Sequence, residues 1–249
     1  MNRTRTLATV LPLLSLLAAQ SVGAAGGFPG DRHWAVGIGV ATSPSPFADH
    51  ATEVLPIPLV VYQGDRFHAA GAEIGYTVAR GRWGALDLKA RPRFEGFDPK
   101  AGSALEGMVE RDGTLELGAS LAFGALNVGF SQDAADVHGG REASLSIGIP
   151  WRGKRWDMTT SVGVAWKSAD LIDYYYGVRA DEATADRAAF QGDSAFTLTS
   201  DLTLTSQISW NWMLFVGAQG ERLSSAVTDS PIVEDDYQFS SFVGLIRIL

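Results

Sequence analysis

Four charged side chains alternate with apolar ones over residues 86–94, and they are the strongest candidates for chemistry in this sequence. The charged positions are Asp87, Lys89, Arg91 and Arg93. Alternate side chains of an extended strand point to the same face, so these four would line one surface. Such a row predicts either an ion-pair network with an inward acid such as Glu116 or a lining that selects anions. The sequence leaves both interpretations open.

Residues that could catalyse a reaction or hold a metal are few. The four histidines show no spacing typical of a metal site: His33, His50, His68 and His138. The chain has no cysteine, which excludes disulfides, thiolate nucleophiles, cysteine-ligated zinc and a lipid anchor on cysteine. His68 could act as the general base of a lipid hydrolase, but no Gly-x-Ser-x-Gly segment accompanies it. We therefore expect a protein that is not an enzyme and that carries no cofactor or metal.

The charge balance is acidic. The 249 residues include 20 Lys and Arg against 28 Asp and Glu, a formal net charge of −8. Nucleic-acid binding depends on clustered Lys and Arg, so no nucleic-acid partner is expected. Charged residues make up only 19% of the chain, compared with about 25% in typical domains. This composition is too apolar for a disordered chain.

The N-terminus has the pattern of a secretory signal. Residues 1–5 carry two arginines, residues 7–19 form an apolar run, and Val22, Gly23 and Ala24 supply the small residues of a cleavage site. The run is shorter than the roughly 20 residues that a transmembrane helix needs. The sequence therefore predicts a cleaved signal peptide over residues 1–24 and a single mature domain over residues 25–249.

Apolar residues recur at every second position through the mature chain. Over residues 156–166 one face is apolar and the other is small or charged, which is typical of a half-buried strand. Eleven segments show the pattern: 34–42, 54–62, 67–79, 86–94, 115–123, 126–130, 141–150, 156–166, 195–209, 212–222 and 237–249. No segment shows a convincing helical period, so we expect an all-β fold.

The tryptophans favour a membrane barrel over a soluble sandwich or a lipocalin-like barrel, which alternate in the same way. All seven lie at or beside the ends of the proposed strands: Trp34, Trp83, Trp151, Trp156, Trp166, Trp210 and Trp212. Ten residues separate Trp156 from Trp166. At about 3.3 Å per residue and a tilt near 45°, the rise is about 23 Å, close to the distance between the two aromatic girdles of a membrane barrel. The apolar faces would then meet lipid, and their neighbours would enclose a polar interior.

Connection lengths give the expected strand count. Outer-membrane barrels have short periplasmic turns and longer outer loops, and eight connections counted from the C-terminus alternate in this way. The alternation fails at residues 64–66, which are too short, and at residues 43–53, which are too long. Bacterial single-chain barrels also have even strand numbers. We therefore predict a transmembrane antiparallel β-barrel of 10 to 12 strands, with twelve preferred and one strand unrecognised in the N-terminal quarter.

The long loops are acidic and aromatic. Residues 168–194 and 223–236 carry many carboxylates without the spacing of a calcium loop, so we expect simple solvated loops. Tyr174, Tyr175 and Tyr176 are candidate outer-loop contacts, because exposed aromatic residues anchor interfaces. They could equally form part of the outer girdle or pack the loop onto the barrel rim.

Several short motifs together resemble one family of proteins. They are Leu55-Pro56-Ile57-Pro58, Tyr62-Gln63-Gly64-Asp65-Arg66-Phe67, Gly75-Tyr76, Gly96-Phe97-Asp98, Gly107-Met108 with Arg111, Asp173-Tyr174-Tyr175-Tyr176-Gly177-Val178 and Ser230-Pro231-Ile232-Val233. In this order they resemble the MipA/OmpV family of outer-membrane proteins, from about residue 34 to the C-terminus. The resemblance implies an outer-membrane barrel whose founding member is a scaffold between a lytic murein transglycosylase and a bifunctional murein polymerase. It implies no catalytic residues.

The sequence thus predicts an outer-membrane scaffold or interaction protein. The expected partners are outer-membrane lipid, lipopolysaccharide and, through the family resemblance, murein-processing enzymes. The alternative is a small-solute channel or uptake pore, because many inward positions are small and would leave space, for example Gly37, Gly39, Ser144, Ser146 and Gly148.

Overall fold

A closed barrel forms the body of the protein. A computed structural model describes residues 33–43, 45–48, 53–100 and 102–249, without the side chains of Ser43 and Glu53. The predicted signal peptide, residues 1–24, and His50 lie outside the described residues. The strands are β1 (His33–Ser43), β2 (Glu53–Gln63), β3 (Phe67–Ala70), β4 (Glu73–Gly81), β5 (Gly84–Arg93), β6 (Thr114–Phe123), β7 (Leu126–Asp133), β8 (Arg141–Arg152), β9 (Trp156–Lys167), β10 (Ala195–Gln207), β11 (Trp212–Arg222) and β12 (Tyr237–Ile248).

Each strand pairs with its sequence neighbours, and β1 pairs with β12 to close the ring. All pairings are antiparallel, and the closing register runs from Ala35 opposite Ile248 to Thr42 opposite Ser241. The predicted all-β antiparallel barrel and the preferred count of twelve strands are confirmed.

The unrecognised strand lies where the prediction took residues 67–79 as one segment. Those residues form two strands, β3 and β4, joined by a tight turn in which Gly71 has a φ of 60°. The strand was missed because β3 has only four residues, Phe67–Ala70, too few to show an alternation of its own. With this strand added, the end of β1 and the start of β2 lie at the long-loop end of the barrel, and residues 64–66 lie at the short-turn end. Both apparent exceptions to the alternation therefore disappear, and only the β3–β4 turn is short at the loop end.

The outer face of the barrel is an apolar belt. Alternate residues of the strands point outward and are exposed, among them Val36, Ile38, Val40, Leu86, Leu88, Leu115, Leu117, Leu145, Ile147 and Val243. This arrangement matches the predicted lipid-facing surface, since lipid offers no polar partners for side chains or backbone. In the part of the chain that the structure describes, no helix has the length and apolar character needed to cross a membrane.

The interior has two different walls. Polar and charged residues line the side formed by β4 to β10. An apolar cluster lines the side formed by β1, β2 and β12: Ala35, Ala41, Ile57, Leu59, Val61, Phe242 and Ile246. The expectation of a uniformly polar interior is therefore wrong on one wall. Residues 54–61 of β2 are all apolar, so alternation alone does not distinguish the two faces of this strand.

The long connections fold into a compact cap at the loop end. They contain a 3₁₀ helix (Ser103–Leu105) and two α-helices, α1 (Ala169–Tyr176) and α2 (Ser225–Thr228). Their buried side chains form one cluster with members from four connections: Phe47, Phe97, Leu105, Met108, Leu171, Ile172, Tyr175, Tyr176, Val178, Ala195, Leu223, Val227 and Ile232. These connections are distributed around the ring, so the cluster extends across the mouth. The expectations of solvated loops and of no helix are both wrong here.

Candidate functional site: the charged lumen and its cap

The four predicted charges lie on β5 and face the lumen. Asp87 and Arg93 are buried, whereas Leu86 and Leu88 are exposed on the outer face. Because the residues alternate along one strand, the apolar partners fix the direction of the charged ones. Asp87, Lys89, Arg91 and Arg93 thus share one lumenal face of β5.

Two arginines and two glutamates form the centre of an ion network. Arg91 Nε lies 3.0 Å from Glu116 Oε2, and Arg93 Nε lies 2.6 Å from Glu116 Oε1. Each guanidinium also reaches Glu142, at 3.4 Å from Arg91 and 2.5 Å from Arg93. Glu116 is nearly inaccessible to solvent, with a side-chain exposure of 1%. The two cations are thus neutralised by neighbouring carboxylates, as such burial requires.

The network continues to the loop end through Glu95. This carboxylate pairs with Arg93 Nη1 at 3.0 Å and with Lys167 Nζ at 3.7 Å. Lys167 also pairs with Glu221 at 2.8 Å. Burial would raise the pKa of Glu95, but the charges of Lys167 and Arg93 outweigh burial and lower the pKa. Glu95 belongs to the β5–β6 connection, so it joins the barrel wall to the cap.

Below this network, towards the short-turn end, two carboxylates have hydroxyl partners. Thr77 Oγ1 donates to Asp87 Oδ1 at 2.6 Å, and Ser161 Oγ donates to Asp201 Oδ2 at 3.1 Å. Lys89 Nζ lies 3.2 Å from Glu73. A cavity of about 200 Å³ adjoins these groups, and small polar residues of β7, β8 and β10 complete its lining.

The lumen has more acids than bases. Among the described residues the cations of the network and cavity are Lys89, Arg91, Arg93 and Lys167. The carboxylates are Glu73, Asp87, Glu95, Glu116, Glu142, Asp201 and Glu221. Every one of these cations has a carboxylate within 4 Å. The geometry therefore favours the ion-pair interpretation of the β5 charges over a lining that selects anions.

A second buried ion pair organises the cap. Arg111 donates to both oxygens of Glu182, at 3.0 Å and 2.8 Å, and to the carbonyl oxygen of Tyr174 at 2.8 Å. Burial would raise the pKa of Glu182, but hydrogen bonds from Arg111 and from the backbone N–H groups of Val109 and Arg179 lower it to about 2. Such bidentate pairs are strong and geometrically specific. Glu182, expected in a solvated loop, is instead a buried structural group.

The three consecutive tyrosines lie in α1 and are largely withdrawn from the surface. Tyr175 and Tyr176 are buried in the cap cluster, with exposures of 1% and 4%. Tyr174 packs at the edge of the cluster, and its hydroxyl accepts a hydrogen bond from Asp112 N at 3.0 Å. Burial raises the pKa of both Tyr175 and Tyr176. Tyr175 and Tyr176 therefore pack the loop onto the barrel end and do not lie on its outer surface.

Six of the seven tryptophans mark the short-turn end. Trp34, Trp83, Trp151, Trp156, Trp210 and Trp212 are exposed there, whereas Trp166 lies at the loop end and is partly buried. Exposed aromatic residues of other types accompany Trp166 at that end: Phe196, Tyr237 and Phe239. The two ends of the apolar belt are thus both aromatic, as expected for girdles, but only one is rich in tryptophan.

The two ends of the barrel carry opposite charge. The short-turn end has a set of exposed bases, called here the basic rim: Arg66, Arg80, Arg82, Arg152, Lys154, Arg155 and Arg247. Asp65 and Asp157 are the acids among them. The outer surface of the cap exposes acids: Glu106, Glu110, Asp112, Asp136, Asp170, Asp173, Asp181, Asp186, Asp193, Asp229, Glu234, Asp235 and Asp236. The acidic net charge of the chain therefore conceals a basic end.

The histidines form no metal site in the described part of the chain, where no group of three His, Asp or Glu side chains could hold a metal ion. His68 faces the strand position of Gly75, over which its ring lies. His138 is buried beside Tyr175 and receives a hydrogen bond from Gly140 N on Nδ1 at 2.8 Å. Burial lowers its pKa. His138 is therefore a structural residue of the cap.

Beyond Glu116, the other members of the lumenal ion network were not found from the sequence. Glu142, Lys167 and Glu221 lie on the inward face of their strands, and a parity count along β8, β9 and β11 would have placed them there. The Arg111–Glu182 pair has no comparable signal, because 71 residues separate its members. The helix α1 does have one. Leu171, Ile172, Tyr175 and Tyr176 recur at helical spacing after Ser168.

Comparison with known proteins gives consistent matches over nearly the whole chain. The sequence model of one family, described as MltA-interacting protein MipA, matches residues 36–248. The MltA-interacting protein of Escherichia coli (strain K12) is 27% identical over 247 residues, covering 96% of each chain. Outer membrane protein OmpV of Vibrio cholerae is 24% identical over 221 residues, covering 84% of each chain. Among solved structures, the outer membrane protein OmpT of Vibrio cholerae is similar at 12% identity and a TM-score of 0.34, over 82% of this chain and 66% of that chain.

Proposed function

This chain belongs to the MltA-interacting protein MipA family and is a twelve-stranded outer-membrane β-barrel, and from that premise we propose that it is a non-enzymatic interaction protein for murein-processing enzymes. The basic rim is the proposed contact surface. The name of the Escherichia coli relative, MltA-interacting protein, supports a partner of this kind.

The orientation of the barrel places the basic rim on the side of the cell wall. Short turns face the periplasm in outer-membrane barrels, so the short-turn end and its exposed bases face the compartment that contains murein. Lys154 and Arg155 lie in the β8–β9 turn, and Arg82 lies in the β4–β5 turn with its guanidinium 4.2 Å from the ring of Trp83. The turns are too short to fold into a separate binding domain, so among the described residues a partner would meet the rim directly.

The single observation that carries the proposal is the concentration of positive charge at this rim of an acidic protein. Complementary charge steers encounter and fixes the orientation of a complex. A cationic ring fits a partner with an acidic face, and it would repel a basic one.

A binding measurement with a charge-reversed rim tests the proposal. The full barrel in detergent or nanodiscs would be used to recover murein hydrolases and synthases from envelope extracts. The triple variant Arg152→Glu, Lys154→Glu and Arg155→Glu should lose this recovery. All three side chains are exposed, so the barrel should fold as before, which heat-modifiable gel migration would check.

The matched control reverses charge at the other end. The triple variant Asp229→Lys, Asp235→Lys and Asp236→Lys changes three exposed acids of the last loop and should leave recovery unchanged. Equal loss in both variants, or recovery of no murein enzyme by the unmodified barrel, would contradict a rim contact. Raising the salt concentration should weaken the complex, because contacts between exposed charges are screened.

A channel is the second candidate function. The specific observation in its favour is the cavity of about 200 Å³ beside Lys89 and Asp201, which small residues leave unfilled. Conduction would require the cap to move, because its core spans the mouth. Planar-bilayer recordings test this function: conductance steps that change in Lys89→Ala would support it, and an absence of steps would remove it.

Export and membrane contacts complete the proposal. We propose that residues 1–24 are removed as a signal peptide, which the mass of the mature protein's N-terminal peptide would show. The apolar belt is the proposed contact with outer-membrane lipid, and the acidic cap faces the lipopolysaccharide side. Binding of lipopolysaccharide to this cap would need bridging divalent cations, since both surfaces are anionic.

A further inference from the structure

The barrel wall is incomplete above the β3–β4 turn. β2 pairs with β3 only over residues 61–63, although β2 begins at Glu53. On the other side, the β4–β5 register ends with Ile74 opposite Ala90, although β5 continues to Arg93. Among the described residues, no register joins the upper part of β2 to that of β5. We call this gap the notch.

The sequence of β2 is adapted to an unpaired edge. Gly71 N donates to Val60 O at 3.0 Å, so the backbone groups of Val60 point towards β3. Residues two and four positions earlier have the same orientation, and these are Pro58 and Pro56. Proline has no N–H to leave unpaired. Proline on an exposed edge also blocks the addition of another strand, so the notch is protected from strand pairing.

The notch opens within the apolar belt. On its β2 side the outward neighbours Ile38 and Val40 pair with Pro58 and Pro56, and both are exposed. On its β5 side Pro92 pairs with Leu115, which is also exposed. Hydrocarbon therefore surrounds the opening, and water does not.

The lumen behind the notch is apolar on the β2 side, whereas its β4 and β5 side carries the Glu73–Lys89 pair and Arg91. Ile57 and Leu59 are the inward residues of β2 at this height, and both are buried in the apolar wall of the lumen. Ala72 at the turn and Phe94 after β5 pack against the same cluster while remaining partly exposed. Apolar side chains thus continue from the belt into this wall, and Ala72 and Phe94 pack between them. Ile57 and Leu59 are only 3% and 2% exposed, so an acyl chain that reaches them must displace Phe94.

We propose that the notch is a lateral binding site for an acyl chain of a lipid from the surrounding leaflet. The chain lies between β2 and β5 and reaches Ile57 and Leu59. Its headgroup stays outside, because Arg91 and Arg93 behind β5 are already paired with Glu116 and Glu142. A second copy of the chain would need donors that Pro56 and Pro58 lack. The site does not depend on the proposed contact with murein enzymes.

Photocrosslinking tests the site in the full barrel. The protein would be reconstituted in vesicles of phosphatidylethanolamine and phosphatidylglycerol that contain a phosphatidylethanolamine with a diazirine on its acyl chain. We expect labelling of the inward residues Ile57 and Leu59 and of Phe94, in addition to outward residues. Inward residues at a distance from the notch, Ser144 and Ser146, serve as internal controls and should stay unlabelled.

A variant with the notch filled should no longer be labelled at the inward residues Ile57 and Leu59. Ala72→Trp places a large side chain at the threshold, and Ala119→Trp adds the same side chain to the lipid-facing side of β6 as the matched control. Labelling confined to outward residues in the unmodified protein would overturn the proposal. Crosslinks between residues 54–60 of two copies would overturn it in favour of strand addition. Both of these outcomes are measured on the unmodified protein, so the test does not depend on whether Ala72→Trp folds.

Discussion

The two ends of this barrel differ in how their connections are packed. At the loop end, four connections share a buried core and a bidentate ion pair between Arg111 and Glu182. At the short-turn end, the connections are tight, the side chains are exposed, and bases alternate with tryptophans. One end is therefore a small folded unit, and the other is a rigid surface without a core of its own.

This difference separates stability from interaction. Buried groups at the loop end have fixed partners, so changing one should disturb the cap. Exposed groups at the rim have few partners within the chain, so changing them should leave the fold intact and alter only what the rim meets. Substitutions at the two ends should therefore have opposite signatures in stability and binding measurements.

The largest effect is expected for Arg111→Ala. Removing one partner of a buried ion pair costs about 3–5 kcal/mol, and Arg111 also donates to two carbonyl oxygens of the cap. The cost should fall on the cap, which can open without the barrel. Hydrogen exchange would show loss of protection in residues 102–113 and 168–194, with β6 to β10 unchanged. Loss of protection throughout the strands would contradict an independently folded cap.

Acid should open the cap before the barrel. The pKa of Glu182 is about 2 in the folded state and 4.5 ordinarily. A lowered pKa means that the stabilisation is fully present above about pH 4.5 and is lost as the pH falls towards 2. Protease cleavage within residues 168–194 should increase over this pH range. Glu182→Gln should abolish the dependence, and an unchanged profile in that variant would assign it to other groups.

A smaller effect is expected at a turn of the short-turn end. Gly124 has a φ of 61° in the two-residue turn between β6 and β7, a conformation that costs a residue with a Cβ roughly 1 kcal/mol. Gly124→Ala should therefore destabilise the whole barrel by about that amount in urea unfolding. Gly81→Ala is the control, since Gly81 lies at an exposed strand end with open space around its Cβ position. An effect of equal size in both variants would exclude the turn conformation as the cause.

The smallest effect on stability is expected for Lys154→Ala. The side chain is exposed in a turn, and such substitutions change stability by about 0.5 kcal/mol or less. The same variant should weaken the proposed contact with a murein enzyme. A large loss of stability would show that the rim has a structural role, and it would remove the contrast between the two ends.

The strands could be predicted from the sequence because each one is a local pattern. Alternation located β5 and its charges, and the even strand number of bacterial barrels corrected a count that missed β3. The cap could not be predicted in the same way. Its contacts join residues such as Arg111 and Glu182 that are far apart in sequence, and its acids and aromatics have the composition of solvated loops.

The residues that line the lumen could be predicted only in part. The inward direction of Arg91 followed from Leu88 on the opposite face, and Glu116 followed from the next strand. The apolar wall did not, because β2 is apolar on both faces and its inward residues Ile57 and Leu59 look like its outward ones. Only the closed ring shows that they meet Phe242 and Ile246 across the seam.

That seam has a consequence for biogenesis. Thr42 and Ser241, which share a hydrogen bond at 3.1 Å, are separated by 199 positions along the polypeptide. Every other strand pairing can form between neighbours in a growing hairpin, but this one must wait for both extremities of the domain to arrive in the bilayer. Sealing is therefore expected to be the slow, final step of assembly. Until then, β1 and β12 each have an unpaired edge, and a chaperone or an insertase would have to bind these two edges.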